Sequence, residues 1–186
     1  MTFTCQEQKT CDVLVIGGGG AGLRAAIAAA SAGADVLMVS KTRMGYASNT
    51  YLSKAIVASS GWGTPEDSSD VHKEDTRAGG RYLNDPEMVA RFTEKIRSET
   101  RQLMAWGAAF GCDEGGIPKV LKVPGHTYAR HLFGKNLKGS DLALPLRRKA
   151  LEKGVRFQER YFVTSLLLSK REICGATAVS LDGGKP

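Results

Sequence analysis

The sequence predicts an α/β fold: a Rossmann-like domain with a parallel sheet, flanking helices and a C-terminal β-hairpin. Three observations carry this expectation. Residues 11–33 place Gly17-x-Gly19-x-x-Gly22 between an apolar run at 13–16 and an alanine-rich stretch. A second apolar run, 34–40, follows directly, so strand, glycine turn, helix and strand occur in the order of a parallel crossover. Two further runs, 160–169 and 173–181, flank Lys170-Arg171-Glu172 and read as a hairpin.

Residues 13–16 make a buried parallel strand. The glycines after it let the backbone turn sharply and approach a pyrophosphate with no Cβ in the way. The positive end of the following helix then meets the phosphates. That helix is expected over 23–32, with Ala25, Ala26 and Ala29 allowing close packing on the sheet and Gly33 ending it. The second strand, 34–40, ends in Ser40 and Lys41, where a ribose-binding acid is expected; Asp35 lies at the wrong end. A Ser–Lys pair fits either an NADP 2′-phosphate or a flavin dinucleotide held by hydroxyl and backbone donors. Residues 42–63 form a long, small-residue loop of the kind that wraps a cofactor.

Beyond the loop the chain reads mostly as scaffold. Thr64-Pro65-Glu66-Asp67 predicts a helix start with Thr64 as cap, and Asp85-Pro86-Glu87 predicts another. The helix after Asp85 runs to about Trp106, with Met88, Phe92, Ile96, Leu103 and Trp106 as its apolar stripe. Residues 107–125 are irregular. Residues 139–153 form a helix in which Pro145 is tolerated only in the early turns, and 155–157 a short parallel strand.

The first ten residues read as a flexible polar tail without a secretory h-region, and 11–186 as one domain. No run approaches the roughly 20 apolar residues that span a bilayer. Cys5, Cys11, Cys112 and Cys174 lack paired spacing for zinc or an iron–sulfur cluster, so they are expected as free thiols in the cytoplasm. His72, His126 and His131 lack metal-ligand spacing too, and no metal site is expected. The net charge of +7 comes from bases interleaved with acids, which argues against nucleic acid. Only Lys135, Lys138, Arg147, Arg148, Lys149 and Lys153 gather into a denser cluster, a candidate phosphate or partner contact.

Several stretches resemble one family in order and spacing. They are the glycine fingerprint, Ser40-Lys41, Ser48-Asn49-Thr50, His72-x-x-Asp75-Thr76, Leu83-Asn84-Asp85, Trp106-Gly107 and Gly125-His126-Thr127-Tyr128-x-Arg130, with the closing hairpin. Together they resemble the FAD-dependent oxidoreductase 2 family: the flavoprotein subunits of succinate dehydrogenase and fumarate reductase, and L-aspartate oxidase. The resemblance implies that Gly17, Gly19, Gly20, Ala21 and Gly22 surround the pyrophosphate and that Ser40 and Lys41 sit by the adenosine ribose. It implies that Ser48, Asn49 and Thr50 reach the flavin, that Ser53, Lys54 and Ala55 stand beside its reactive edge, and that Phe162 and Val163 lie under the adenine, with Val163 assigned to the cofactor. Of the three histidines, the resemblance makes His126 the candidate for the side of flavin or substrate, the alternative being a neutral loop histidine bonded to backbone.

Two departures qualify the resemblance. Asn49 stands where respiratory members carry the histidine bonded to the flavin, and an amide cannot form that bond, so FAD is expected to be held non-covalently. Lys54 replaces a small residue of the relatives' Gln-Gly-Gly or Glu-Gly-Gly and is expected to face solvent. The implied activity is hydride transfer between flavin N5 and a C4-dicarboxylate or amino-dicarboxylate. The implied partners are that substrate and an iron–sulfur electron-transfer subunit. No catalytic residue is identified, because the family's proton-donating arginine belongs to a capping domain beyond this sequence, so the chain alone is expected to be inactive. The alternatives are an NADP-dependent Rossmann oxidoreductase and a non-catalytic dinucleotide-binding fragment.

Overall fold

The computed structural model describes residues 7–182. In chain order these form β1 (Val13–Ile16), α1 (Gly20–Ser31), β2 (Val36–Ser40), α2 (Asn49–Leu52), β3 (Ile56–Ala58), α3 (Ser69–Gly79), α4 (Pro86–Ala105), β4 (Val120–Leu121), β5 (His131–Phe133), α5 (Ser140–Glu152), β6 (Arg156–Glu159), β7 (Tyr161–Ser169) and β8 (Glu172–Ser180). They belong to two compact units: residues up to Leu52 with those from Leu146 onward, and Ser53–Pro145 between them.

The first unit carries the expected parallel sheet, in the order β1-β2-β6. Val13 pairs with Val36 and Ile16 with Val39, while Ser40 pairs with Glu159. The central strand β2 is buried at every position, as an apolar run between two parallel neighbours should be. α1 turns Leu23, Ala26 and Ile27 inward at helical spacing. The helix begins three residues before the expected Leu23, because Gly19 acts as N-cap and the last glycines enter the first turn. β2 begins two residues late. The Ala34 N–H is taken by Ala29 O in the turn that closes α1, and the Asp35 N–H by the Asp12 carboxylate.

β6 lies one to two residues beyond its expected place. The hairpin turn needs only Lys170 and Arg171, both with positive φ (48° and 70°), so Ser169 already pairs with Glu172. Of the expected tail, residues 1–6, with Cys5, lie outside the described residues. Lys9 Nζ donates to Gln158 Oε1, and Arg156 Nη2 donates to Thr10 O.

The second unit holds a three-stranded antiparallel sheet, β3-β5-β4, where a loop and an irregular stretch were expected. Strands of two or three residues carry too little alternation to be read from sequence. Ala55, Ala108, Phe110, Leu132 and Leu142 form its apolar core, with Met104 packed against it. Thr64 caps no helix: its hydroxyl meets the Glu66 carboxylate, and α3 starts five residues later, with Ser68 Oγ accepting from Val71 N–H. Asp85 caps α4 as expected, accepting from the N–H groups of Glu87 and Met88.

The expected stripe of α4 needs correction. Met88 is 67% exposed and Phe92 42%, while Val89, Thr93 and Thr100 are the buried positions. The threonine hydroxyls donate to Val89 O and Ile96 O, so burial leaves them bonded. Pro145 is the sixth residue of α5, and the boundary between the units falls immediately after it.

Candidate functional site

The glycine turn of the first unit opens on a crevice of about 440 Å³. Gly17 has φ +112°, a conformation that side chains rarely adopt, and its N–H donates to Val39 O at 2.8 Å. A Cβ on Gly22 would lie 2.1 Å from Gly17 O, so only glycine lets the turn close against the helix. Gly18 is shut in on one side by Met44 and the Ser40 hydroxyl, whereas Gly19 is open to ordinary contact.

The N-terminus of α1 stands at this turn with a glycine, Gly19, as N-cap, which offers no side chain, and no acidic residue in its first turn. Thr50 Oγ1 accepts the Gly20 N–H at 3.0 Å. The helix end therefore presents positive charge to the crevice without an internal carboxylate to neutralise it. Hydroxyl, amide and ammonium groups of Ser40, Lys41, Thr42, Ser48 and Asn49 complete the polar wall, while Tyr161, Phe162 and Val163 form the other. Acid-free helix end, glycine floor, donors and an apolar wall together suit a ligand with a diphosphate and an aromatic base.

Most of the expected site residues converge here. Gly17, Gly19, Ser40, Lys41, Ser48, Asn49 and Val163 line the crevice, and Gly20, Ala21 and Gly22 form the first turn of α1. Gly18 of the same glycine turn and Phe162 beside Val163 also line it, as does Tyr161, to which no part was assigned. Ser53, Lys54 and Ala55 belong to the second unit, where Ser53 and Lys54 are exposed and Ala55 is fully buried in the core. Lys54 thus faces solvent, as expected. The basic cluster is divided: Lys135 and Lys138 belong to the second unit and the other four bases to the first, where Arg148 and Lys149 pair with Glu152.

The second unit has its own crevice of about 670 Å³, whose lining sets Asp67 and Glu94 against one cation, Arg97. Asp67 is buried and paired with Arg130, which leaves Glu94 and Arg97 as opposed charges and offers a diphosphate no net attraction. Deeper lies a charge network that joins Asp75 and Arg130, from two of the resembling stretches, to Asp67, which lies outside them. The Arg130 side chain is fully buried, with Nη2 2.7 Å from Asp67 Oδ1 and 2.9 Å from Asp75 Oδ2. Burial pushes the Asp75 carboxyl up, but the Thr127 backbone and hydroxyl bonds, with Arg130 beside it, hold it below its ordinary value.

His126, the candidate flavin-side histidine, belongs to this network. Its Nδ1 is 3.5 Å from Arg130 Nη1, and its ring packs 4.5 Å from His131 and 6.2 Å from His72. Among the described residues no group of side chains could hold a metal ion. Burial, then the Arg130 and His126 charges, push His72 down to about 4; burial also lowers His131.

His72 gives the protein a pH dependence. The folded state keeps it neutral while the unfolded chain binds a proton near pH 6.5, so stability is lost as pH falls from about 6.5 to about 4. The expected loss is about 3 kcal/mol. Urea unfolding at pH 7 and pH 4.5 measures it, and His72→Asn should flatten the profile in that window.

Cys11, Cys112 and Cys174 are free thiols. No helix among the described residues is long and apolar enough to cross a membrane.

Known proteins place this geometry. The FAD binding domain family matches residues 12–186. One subunit of the fumarate reductase (CoM/CoB) of Methanothermobacter marburgensis is 32% identical over 181 residues, 97% of this chain and 33% of that protein. The fumarate reductase flavoprotein subunit of Mycobacterium tuberculosis is 33% identical over 94% of this chain and 30% of its own length. Among solved structures, Sdh1 of Mycobacterium smegmatis in complex with UQ1 superposes with a TM-score of 0.86 at 29% identity, over 91% of this chain and 30% of that one. The chain spans about a third of the length of the relatives it matches.

Proposed function

The chain belongs to the FAD binding domain family, and from that premise we propose that it is the FAD-holding part of an oxidoreductase of the fumarate reductase and succinate dehydrogenase type. When bound, FAD supplies hydride transfer to or from a C4-dicarboxylate or amino-dicarboxylate. The observation that carries this reading is the acid-free start of α1 behind the glycine turn, opening on a crevice with donors along one wall.

In this reading the backbone at Gly17, Gly19, Gly20, Ala21 and Gly22 holds the pyrophosphate. Ser40 and Lys41, at the end of β2, hold the adenosine ribose, and Val163 with Phe162 holds the adenine. Ser48, Asn49 and Thr50 reach toward the flavin. Asn49 makes the attachment non-covalent, because a carboxamide lacks the nucleophilic ring nitrogen of histidine. We assign no catalytic acid or base to this chain. The partners in this reading are the dicarboxylate substrate and an iron–sulfur electron-transfer subunit; the free thiols favour the cytoplasm as its compartment.

Titration of the purified chain with FAD tests the assignment. Quenching of flavin fluorescence and a yellow protein are expected, with NADPH binding at least about tenfold weaker, a difference of about 1.4 kcal/mol. After acid denaturation all the colour should leave with the small-molecule fraction. Tight NADPH uptake without a chromophore would overturn the cofactor, and colour retained on the denatured chain would overturn the mode of attachment.

A further inference from the structure

The segment that leaves β2 at Ser40 and passes over the glycine turn is held by a residue from another strand. Glu159 ends β6 directly opposite Ser40, and its Oε1 accepts the Met44 N–H at 2.8 Å. Met44 is fully buried and lies against Gly18: a Cβ there would come 2.7 Å from its Sδ. Next to it, the Gly45 N–H donates to Gly18 O at 2.9 Å, so the loop is fastened to the floor of the crevice at that point. Beyond it come Ala47, Ser48 and Asn49, which line the crevice.

A charged acceptor makes the Glu159 bond the strongest of these fastenings. Arg147 Nη2 stands 3.9 Å from the same carboxylate oxygen, while its guanidinium lies over the Phe157 ring at 5.6 Å. Two residues after Glu159, Tyr161 begins the opposite wall of the crevice. One side chain thus connects the β6–β7 wall to the loop that carries the polar wall.

We propose that Glu159 is a positioning residue for the cofactor: by accepting the Met44 N–H it clamps the 41–48 loop over the glycine turn and fixes the separation of the two walls. The proposal rests on the assignment of FAD to this crevice. The loop's order before binding then lowers the entropy that FAD must overcome on entry.

The test uses the whole 186-residue chain with Glu159→Ala, Glu159→Asp and Glu159→Gln. Glutamine keeps an acceptor oxygen at the same reach; alanine has none, and aspartate is one methylene too short. FAD affinity should fall about tenfold in the alanine and aspartate variants, the loss of one charge-assisted bond, and stay within about threefold of wild type in the glutamine variant. Limited trypsin digestion reads the clamp without cofactor. Cleavage of the Arg43–Met44 bond, whose N–H the carboxylate holds, should quicken about tenfold in the alanine and aspartate variants while other sites keep their rates.

A variant cut at all sites alike is unfolded, and the aspartate variant then carries the comparison. If wild type binds FAD and the alanine and aspartate variants bind equally well, or if glutamine fails to rescue, the positioning role is overturned. If wild type binds no FAD, the cofactor assignment falls and the proposal falls with it.

Discussion

Arg130→Leu is expected to destabilise the protein by about 3–5 kcal/mol, the usual result of removing one partner from a buried ion pair. A domain stable by about 5–15 kcal/mol has little to spare against such a loss. The argument rests on where the partners lie. Asp67 has no exposed side-chain surface and Asp75 only 13%, and Arg130 Nη2 approaches a carboxylate oxygen of each. Without the guanidinium, Asp67 is an unpaired charge in a site that water does not reach. Asp75 fares better, because the Thr127 N–H and hydroxyl still bond to it at 2.8 Å.

This difference separates charge from bulk. Arg130→Leu combined with Asp67→Leu removes both members of the deepest pair and should recover most of the loss, since apolar replacement of a whole buried pair is often neutral. Urea unfolding of wild type, single and double variants measures it. A single variant as stable as wild type would show that the network contributes no stability, and a double variant no better than the single would show that side-chain volume governs the site.

The network also shows what the sequence conceals. Asp67 and Asp75 are near one another in sequence, but Arg130 lies dozens of positions beyond them, and the fold alone brings it to both. Glu159 is similar: only the parallel register of β2 with β6 sets it opposite Ser40. By contrast, the glycine turn, α1 and the hairpin are encoded within contiguous stretches, so their order was legible and their ends shifted by a few residues. Helix α4 shows how periodicity alone misleads. Met88 and Phe92 satisfy the helical spacing of an apolar stripe, yet the buried side of the helix is finished by Thr93 and Thr100, whose hydroxyls bond back to their own helix. The crevice was legible for a further reason: backbone closeness needs glycine, and glycine is visible in sequence, whereas the particular constraint on Gly18 comes from Met44 across the turn.

Gly22→Ala should lower FAD affinity by at least about a hundredfold, because overpacking of about 3 kcal/mol falls directly on the binding turn. The new Cβ would stand 2.1 Å from Gly17 O, 3.2 Å from Gly17 C and 3.5 Å from Val15 Cγ1. The first two are backbone atoms and cannot rotate away, so either the turn opens or α1 withdraws from the sheet. Both movements displace the helix N-terminus that is assigned to the diphosphate. Gly19→Ala provides the contrast. Its Cβ meets only Ser48 Cβ, at an ordinary 3.6 Å, so the fold should keep its melting temperature. Gly19 nevertheless lines the crevice, and a methyl group there occupies space assigned to the ligand. The expected pair of results is therefore loss of both stability and binding for Gly22→Ala, and loss of binding alone for Gly19→Ala. Thermal melts and flavin fluorescence titrations on the same samples separate them. Wild-type affinity in Gly19→Ala would move the diphosphate away from the glycine floor, and wild-type affinity in Gly22→Ala would remove the close approach of helix and turn as the reason for glycine.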